Sequence, residues 1–156
     1  DAREPCSFLI SDGIQNISVL TDIGRICDNI KKAIKMADVL LLESNFDEDL
    51  LANGRYPYYL KNRIRSGEGH LSNRISLQAL LENKTSRLKH LILGHLSGEN
   101  NTISLVEKTF LPHCQEVKLS IANREQSTEL FDLVGEVSAV TQVVYLKQET
   151  TQITLF

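Results

Sequence analysis

The sequence predicts a layered α/β domain, and three observations carry that prediction. A short continuous apolar run stands at residues 39–42, the pattern of a strand buried on both faces, and residues 88–93 and 117–121 read as further strands. Segments with apolar residues at helical spacing lie between them. Strand and helix therefore alternate along the chain, as they do in a sheet covered by helices.

Taken in order, residues 7–10 and 17–21 are β-rich runs on either side of Ser11-Asp12-Gly13, a turn signal, so the chain opens on a hairpin. Ile26, Ile30, Ala33, Ile34 and Ala37 then recur at helical spacing and lead into the buried run at 39–42. Residues 59–64 and 71–81 read as helices, 88–93 as a second buried strand, 103–111 as a helix and 117–121 as a third strand. Beyond Arg124 the pattern gives way to a polar stretch, a Val-rich run at 137–146 and a short terminal segment, which divides the chain into a domain over 1–124 and an extension over 125–156. No internal repeat or low-complexity tract interrupts this order.

A length of 156 residues and a hydrophobic share of 42% suffice for one domain with its own core. The net charge of -3 argues against a surface that is a nucleic-acid footprint throughout, while leaving room for a local basic patch. Cys6, Cys27 and Cys114 are widely spaced and form no CxxC pair, so they suggest neither a disulfide framework nor a thiolate zinc site. No run approaches the ~18 consecutive apolar residues of a membrane helix. These features fit a soluble protein of the reducing cytoplasm with no membrane partner. The chain opens on Asp1 rather than Met and enters a strand at once, so an upstream segment is expected.

Four residues stand where chemistry is usually placed, at or just past the end of an apolar run or at a glycine-flanked turn: Asp22, Glu43, His70 and His95. Asp22 either caps the following helix or offers its carboxylate at a strand end. His95, after Leu91-Ile92-Leu93-Gly94, is either a hydrogen-bonded strand-end histidine or a metal ligand. His70 is either part of a helix start capped by Ser72 or Asn73, or a functional imidazole. His90 and His113 have the flanks of surface residues. Arg55, Lys61, Arg63, Arg65 and Arg74 cluster around Tyr56, Tyr58 and Tyr59, a composition suited either to a phosphate backbone with stacked bases or to a solvated basic helix face.

Five strings in order, Asp1-Ala2-Arg3-Glu4-Pro5, Thr21-Asp22-Ile23-Gly24, Leu42-Glu43-Ser44-Asn45-Phe46-Asp47, Gly69-His70-Leu71-Ser72-Asn73 and Leu93-Gly94-His95-Leu96-Ser97-Gly98-Glu99-Asn100-Asn101, resemble successive motifs of the WalJ/YycJ-like metallo-hydrolases. These are relatives of tRNase Z within the metallo-β-lactamase fold. The resemblance spans residues 1–124 and implies the C-terminal half of an αββα sandwich with two divalent metal ions, zinc or manganese, in a cleft at one sheet edge. It makes Asp22 the carboxylate bridging both metals and His95 the last histidine ligand. It makes His70 the group that protonates the leaving oxygen and Glu43 the carboxylate that orients it. A carboxylate partner fixes the tautomer of such a histidine and favours its charged form.

The departures are as informative. The family's His-x-His-x-Asp-His motif is absent, and the chain begins one residue after the position of a further ligand histidine, so a two-metal site cannot close from this sequence alone and the isolated chain is expected to be inactive. Phe46 stands where the family often has histidine. The implied activity is phosphodiester hydrolysis, as an exonuclease on DNA or RNA. Hydrolysis of a small phosphodiester or thioester, and a non-catalytic binding or assembly module, are the competing classes. Finally, Gln152-Ile153-Thr154-Leu155-Phe156 resembles the bacterial sliding-clamp-binding motif, with Gln152, Leu155 and Phe156 as anchors, although its alternation also fits a last strand.

Overall fold

The computed structural model describes residues 6–67, 69–122 and 127. The Val-rich run and the clamp-like terminal motif lie outside the described residues. Element order is β1 (Phe8–Ser11), β2 (Asn16–Leu20), α1 (Asp28–Met36), β3 (Val39–Glu43), α2 (Glu48–Asn53), α3 (Tyr58–Arg65), α4 (Asn73–Asn83), β4 (His90–Gly94), α5 (Ile103–Phe110), a 3₁₀ turn (Leu111–His113) and β5 (Lys118–Ile121). The strands form one sheet in sequence order; β1 pairs antiparallel with β2 and every later pair is parallel.

The opening hairpin turns where Asp12 Oδ1 accepts from the amides of Ile14 and Gln15 and Gly13 takes a φ of +93°. The parallel strands need long crossovers, which α1, the α2–α4 segment and α5 supply. Register places Leu20, Leu42 and Leu93 side by side, with Leu40 beside Leu91, on one face. Ile30 and Ile34 of α1, Ala79 and Leu80 of α4, and Val106 and Phe110 of α5 pack against these leucines as the core. Ser18 lies on the same face and donates to the Ala33 carbonyl of α1. On the opposite face Val19, Leu41 and Ile92 align across three strands and are only half-buried.

Two expectations are corrected. His90 is buried rather than a surface residue, because β4 is enclosed between β3 and β5; its Nε2 meets Ser120 Oγ at 2.8 Å. Burial, reinforced by the charge of Lys118, lowers its pKa. The sequence reading also left residues 44–58 without an element, yet α2 forms there. Its cap is Asp47, whose Oδ1 accepts from the amides of Asp49 and Leu50.

Candidate active site

Because β2, β3 and β4 run parallel and lie next to one another, their C-terminal ends deliver three side chains to one place. Asp22 follows β2, Glu43 ends β3 opposite Gly94, and His95 follows β4. This is where parallel α/β sheets bind ligands. His70 reaches the same spot from the loop before α4.

Glu43 is the hub. It is fully buried, and its Oε1 accepts from Nδ1 of His70 at 2.7 Å and from Nδ1 of His95 at 2.8 Å, while Oε2 accepts the Ile23 amide at 2.8 Å. Burial works against the charge, but the bonds from His70, His95 and Ile23 outweigh it and hold the carboxyl below its usual range. Two imidazoles donating Nδ1–H to a carboxylate present their Nε2 atoms outward. The rings meet edge to face, with centroids 5.1 Å apart. His95 Nε2 lies 3.8 Å from Asp22 Oδ1, and the ligand atoms of Asp22, His70 and His95 fall within 4.8 Å of one another, a potential metal-binding triad.

Two backbone positions carry strain. Asp22 and His95 are the non-glycine residues, among those described, with positive φ, both at 57°. Left-handed backbone costs an L-residue about 1–2 kcal/mol, so these positions are held there by their surroundings. For His95 the restraint is visible: Asn45 Nδ2 donates to the His95 carbonyl at 2.7 Å and the Ser97 amide donates to the Asn45 carbonyl at 2.8 Å. Asp22 is not a helix cap, since Cys27 occupies the N-cap of α1.

Below the site runs a buried amide network that the sequence reading missed. Asn73 Oδ1 accepts from Ser44 Oγ at 2.6 Å and from Asn101 Nδ2 at 2.8 Å, and Asn73 Nδ2 returns a bond to Asn101 Oδ1 at 3.0 Å. Asn101 also donates to the Ser44 carbonyl, and Ser76 Oγ donates to the Glu43 carbonyl. The loops after β3 and β4 and the start of α4 are thus fixed to one another. Ser72 caps α4, accepting from the Ile75 amide, which leaves His70 outside the helix. The signal for the network was present as asparagines directly after a capping serine and within the long polar string after His95.

The basic cluster is only partly assembled. Arg74 is drawn off into an ion pair with Glu48 at 3.0 Å, whereas Arg55, Arg63 and Arg65 are exposed and Lys61 Nζ donates to the Ala52 carbonyl. Beside His95 opens a cleft of about 380 Å³ lined by Ser97, Asn101, Thr102 and Ala122 among others.

No family model matches the chain. It is 38% identical over 101 residues to the exodeoxyribonuclease YycJ of Bacillus anthracis, a match that covers 65% of this chain and 38% of the relative. It is 34% identical over 121 residues to the exodeoxyribonuclease WalJ of Streptococcus pneumoniae, covering 78% of this chain and 45% of the relative. The chain therefore spans less than half the length of the curated relatives it matches. Its mixed five-strand sheet with flanking helices is part of a metallo-β-lactamase-like fold, and over the matched stretch the chain is a homologue of the YycJ and WalJ proteins.

Proposed function

We propose that this chain contributes part of the active site of a metal-dependent exodeoxyribonuclease, with Asp22 and His95 as metal ligands, His70 as the general acid and Glu43 as the residue that positions both histidines. The observation that supports it most is the approach of Asp22 Oδ1 to His95 Nε2 at 3.8 Å from two strained strand ends. Two ligands bonded to one zinc at about 2.0–2.1 Å in a tetrahedral arrangement stand about 3.3 Å apart, so the pair needs little movement to share an ion. Oxygen and imidazole donors suit zinc or manganese.

The chemistry drawn from a pair of such ions is activation of a water and neutralisation of charge on the scissile phosphate. The protein's own groups do the rest. Glu43 presents the Nε2 edge of each ring to the site. His70, in its protonated form, gives its Nε2 proton to the leaving oxygen, with Glu43 holding the ring through its Nδ1. In a protein of the relatives' length, residues beyond this chain complete the ligand set, and the 156-residue chain alone is inactive. No disulfide joins Cys6, Cys27 and Cys114, which suits a cytoplasmic setting. The terminal Gln152, Leu155 and Phe156 tether the enzyme to a sliding clamp, an assignment removed if a peptide of that segment fails to bind the clamp.

Elemental analysis and DNA degradation by the full-length protein test the reading together. Asp22→Ala and His95→Ala should each lose metal. His70→Ala should keep it while turnover falls on the order of a hundredfold, the range expected on losing a general acid. Full metal occupancy in the first two variants removes the ligand assignment, and unchanged turnover in the third removes the acid. A protein that cleaves only a small phosphodiester or thioester removes the nuclease.

A further inference from the structure

A histidine can be offered to a metal only if both its ring and its backbone are held. The His95 ring is tied through Nδ1 to Glu43 Oε1 at 2.8 Å, which fixes how the imidazole is turned. That bond does not fix where the ring starts from, because the direction of the Cα–Cβ bond follows the backbone. At a φ of 57° the His95 backbone stands in the left-handed region, which an L-residue leaves when nothing restrains it. A return to the common φ of about −60° would swing the side chain away from Glu43 and from Asp22, whose Oδ1 lies 3.8 Å from His95 Nε2.

The backbone is held by the side chain of Asn45, whose Nδ2 donates to the His95 carbonyl at 2.7 Å. Asn45 stands on a fixed mount. Ser44 before it is fully buried and donates its Oγ to Asn73 Oδ1, and Phe46 after it is buried and bridges to Ser72. The Asn45 amide donates to the Leu71 carbonyl at 2.9 Å, and the Asn45 carbonyl accepts the Ser97 amide at 2.8 Å. Those two backbone bonds are open to most residue types. The bond to His95 is not, since it needs a short side chain that ends in an N–H donor. Asparagine at this position thus serves the hold on His95 rather than the course of its own loop.

We propose that Asn45 is a positioning residue of the metal site: its side-chain amide, mounted between buried Ser44 and Phe46, keeps the His95 backbone left-handed and so keeps His95 Nε2 beside Asp22. Without that bond His95 spends most of its time with the ring turned out of the site. A ligand that binds only the competent arrangement then loses affinity in proportion to the fraction of molecules that hold it. If about a tenth remain competent, the loss is about tenfold, within the range of about 10–100-fold seen when an outer partner of a metal ligand is removed. This inference rests on the reading of His95 as a metal ligand and adds the residue that preorganises it.

The test is titration of the metal-stripped full-length protein with cobalt(II), read by visible absorption and by competition with a chelator. Asn45→Ala should bind cobalt about tenfold more weakly and reach the wild-type spectrum at saturation, because the ligands themselves are unchanged. Asn45→Leu, which keeps the size of the side chain and removes the donor, should do the same. Circular dichroism and thermal unfolding establish that the variants fold. DNA degradation followed against manganese concentration should show the same shift in half-saturation, with the lost turnover returning as metal is raised, since enough metal draws the ring back into place. A residue that merely supports the fold would not give that split. Wild-type cobalt affinity in both Asn45 variants, with metal lost from His95→Ala, overturns this proposal and leaves the ligand assignment standing. Turnover that stays low at saturating manganese also overturns it, because the defect then lies elsewhere than in His95. Wild-type affinity in His95→Ala overturns both readings.

Discussion

Glu43 Oε1 shares its negative charge between two imidazoles 25 residues apart in sequence while Oε2 takes the Ile23 amide, so one buried carboxylate sets the orientation of both rings. Outer partners of this kind typically change metal affinity 10–100-fold when removed. Glu43→Gln keeps the volume but loses the charge, and its amide can accept on only one atom. We expect metal affinity in the full-length protein to fall by about that factor, with little change in fold, measured by metal titration and circular dichroism. Glu43→Ala should do more, because both Nδ1 donors and the Ile23 amide lose their partner; an unsatisfied buried group costs about 1–3 kcal/mol, readable in chemical denaturation. Wild-type metal affinity in the Gln variant would show that the two histidines hold their orientation without Glu43.

At the level of elements, Asp38 ties the strand starts together at the opposite end of the sheet from the site. Its Oδ2 accepts from the Asn16 amide at 2.9 Å and from Arg87 Nη2 at 2.7 Å, and the same Arg87 nitrogen reaches the Ile14 carbonyl. Burial disfavours the Asp38 charge, but Arg87 and the Asn16 amide outweigh it and depress the pKa. The folded value lies below the unfolded one, so the contribution is complete above the ordinary value of about 3.9 and is lost as pH falls through the folded value. Asp38→Asn should therefore weaken the fold at neutral pH and flatten the loss of stability below about pH 4, as seen in urea midpoints; a variant with an unchanged acid limb would show that Asp38 is not its source. The order of strands and helices was legible because β3 is written as an unbroken apolar run, β4 as an apolar-rich one and β5 as an alternating one, with helical spacing between them. Helix α2 was not, since six residues are too few to display a period and only Asp47 with its following acids announces it. At the site, Asp22 and His95 could be singled out as strand-end residues, but their roles came from resemblance. The bond from His95 to Glu43 and the clasp of Asn73 on Asn101 join residues 52 and 28 apart, and no local pattern encodes them.

For the whole molecule, the packing is lopsided. The helix-covered face is dry, whereas β1 leaves Phe8, Leu9 and Ile10 at 57%, 43% and 56% exposure and the second face leaves Val19, Leu41 and Ile92 half-buried. Edge strands with apolar side chains and free backbone groups invite pairing with another chain. No described helix is long and apolar enough to cross a membrane. We expect the 156-residue chain, expressed alone, to self-associate in a concentration-dependent way. Leu9→Lys with Ile10→Lys should reduce that association without unfolding the domain, by sedimentation velocity and circular dichroism. A chain that is monomeric at high concentration would show that this edge is protected.

The left-handed backbone at Asp22 and His95 sets stability against function at the same two residues. Glycine takes such a conformation without steric cost, so the side chains proposed to hold metal are also the ones whose removal relaxes the chain. Asp22→Gly should raise the denaturation midpoint by an amount corresponding to about 1 kcal/mol while abolishing the metal site. Selection for thermal robustness alone would therefore erode this centre first, and a stabilised variant recovered from such a screen should be assayed for metal before it is called improved.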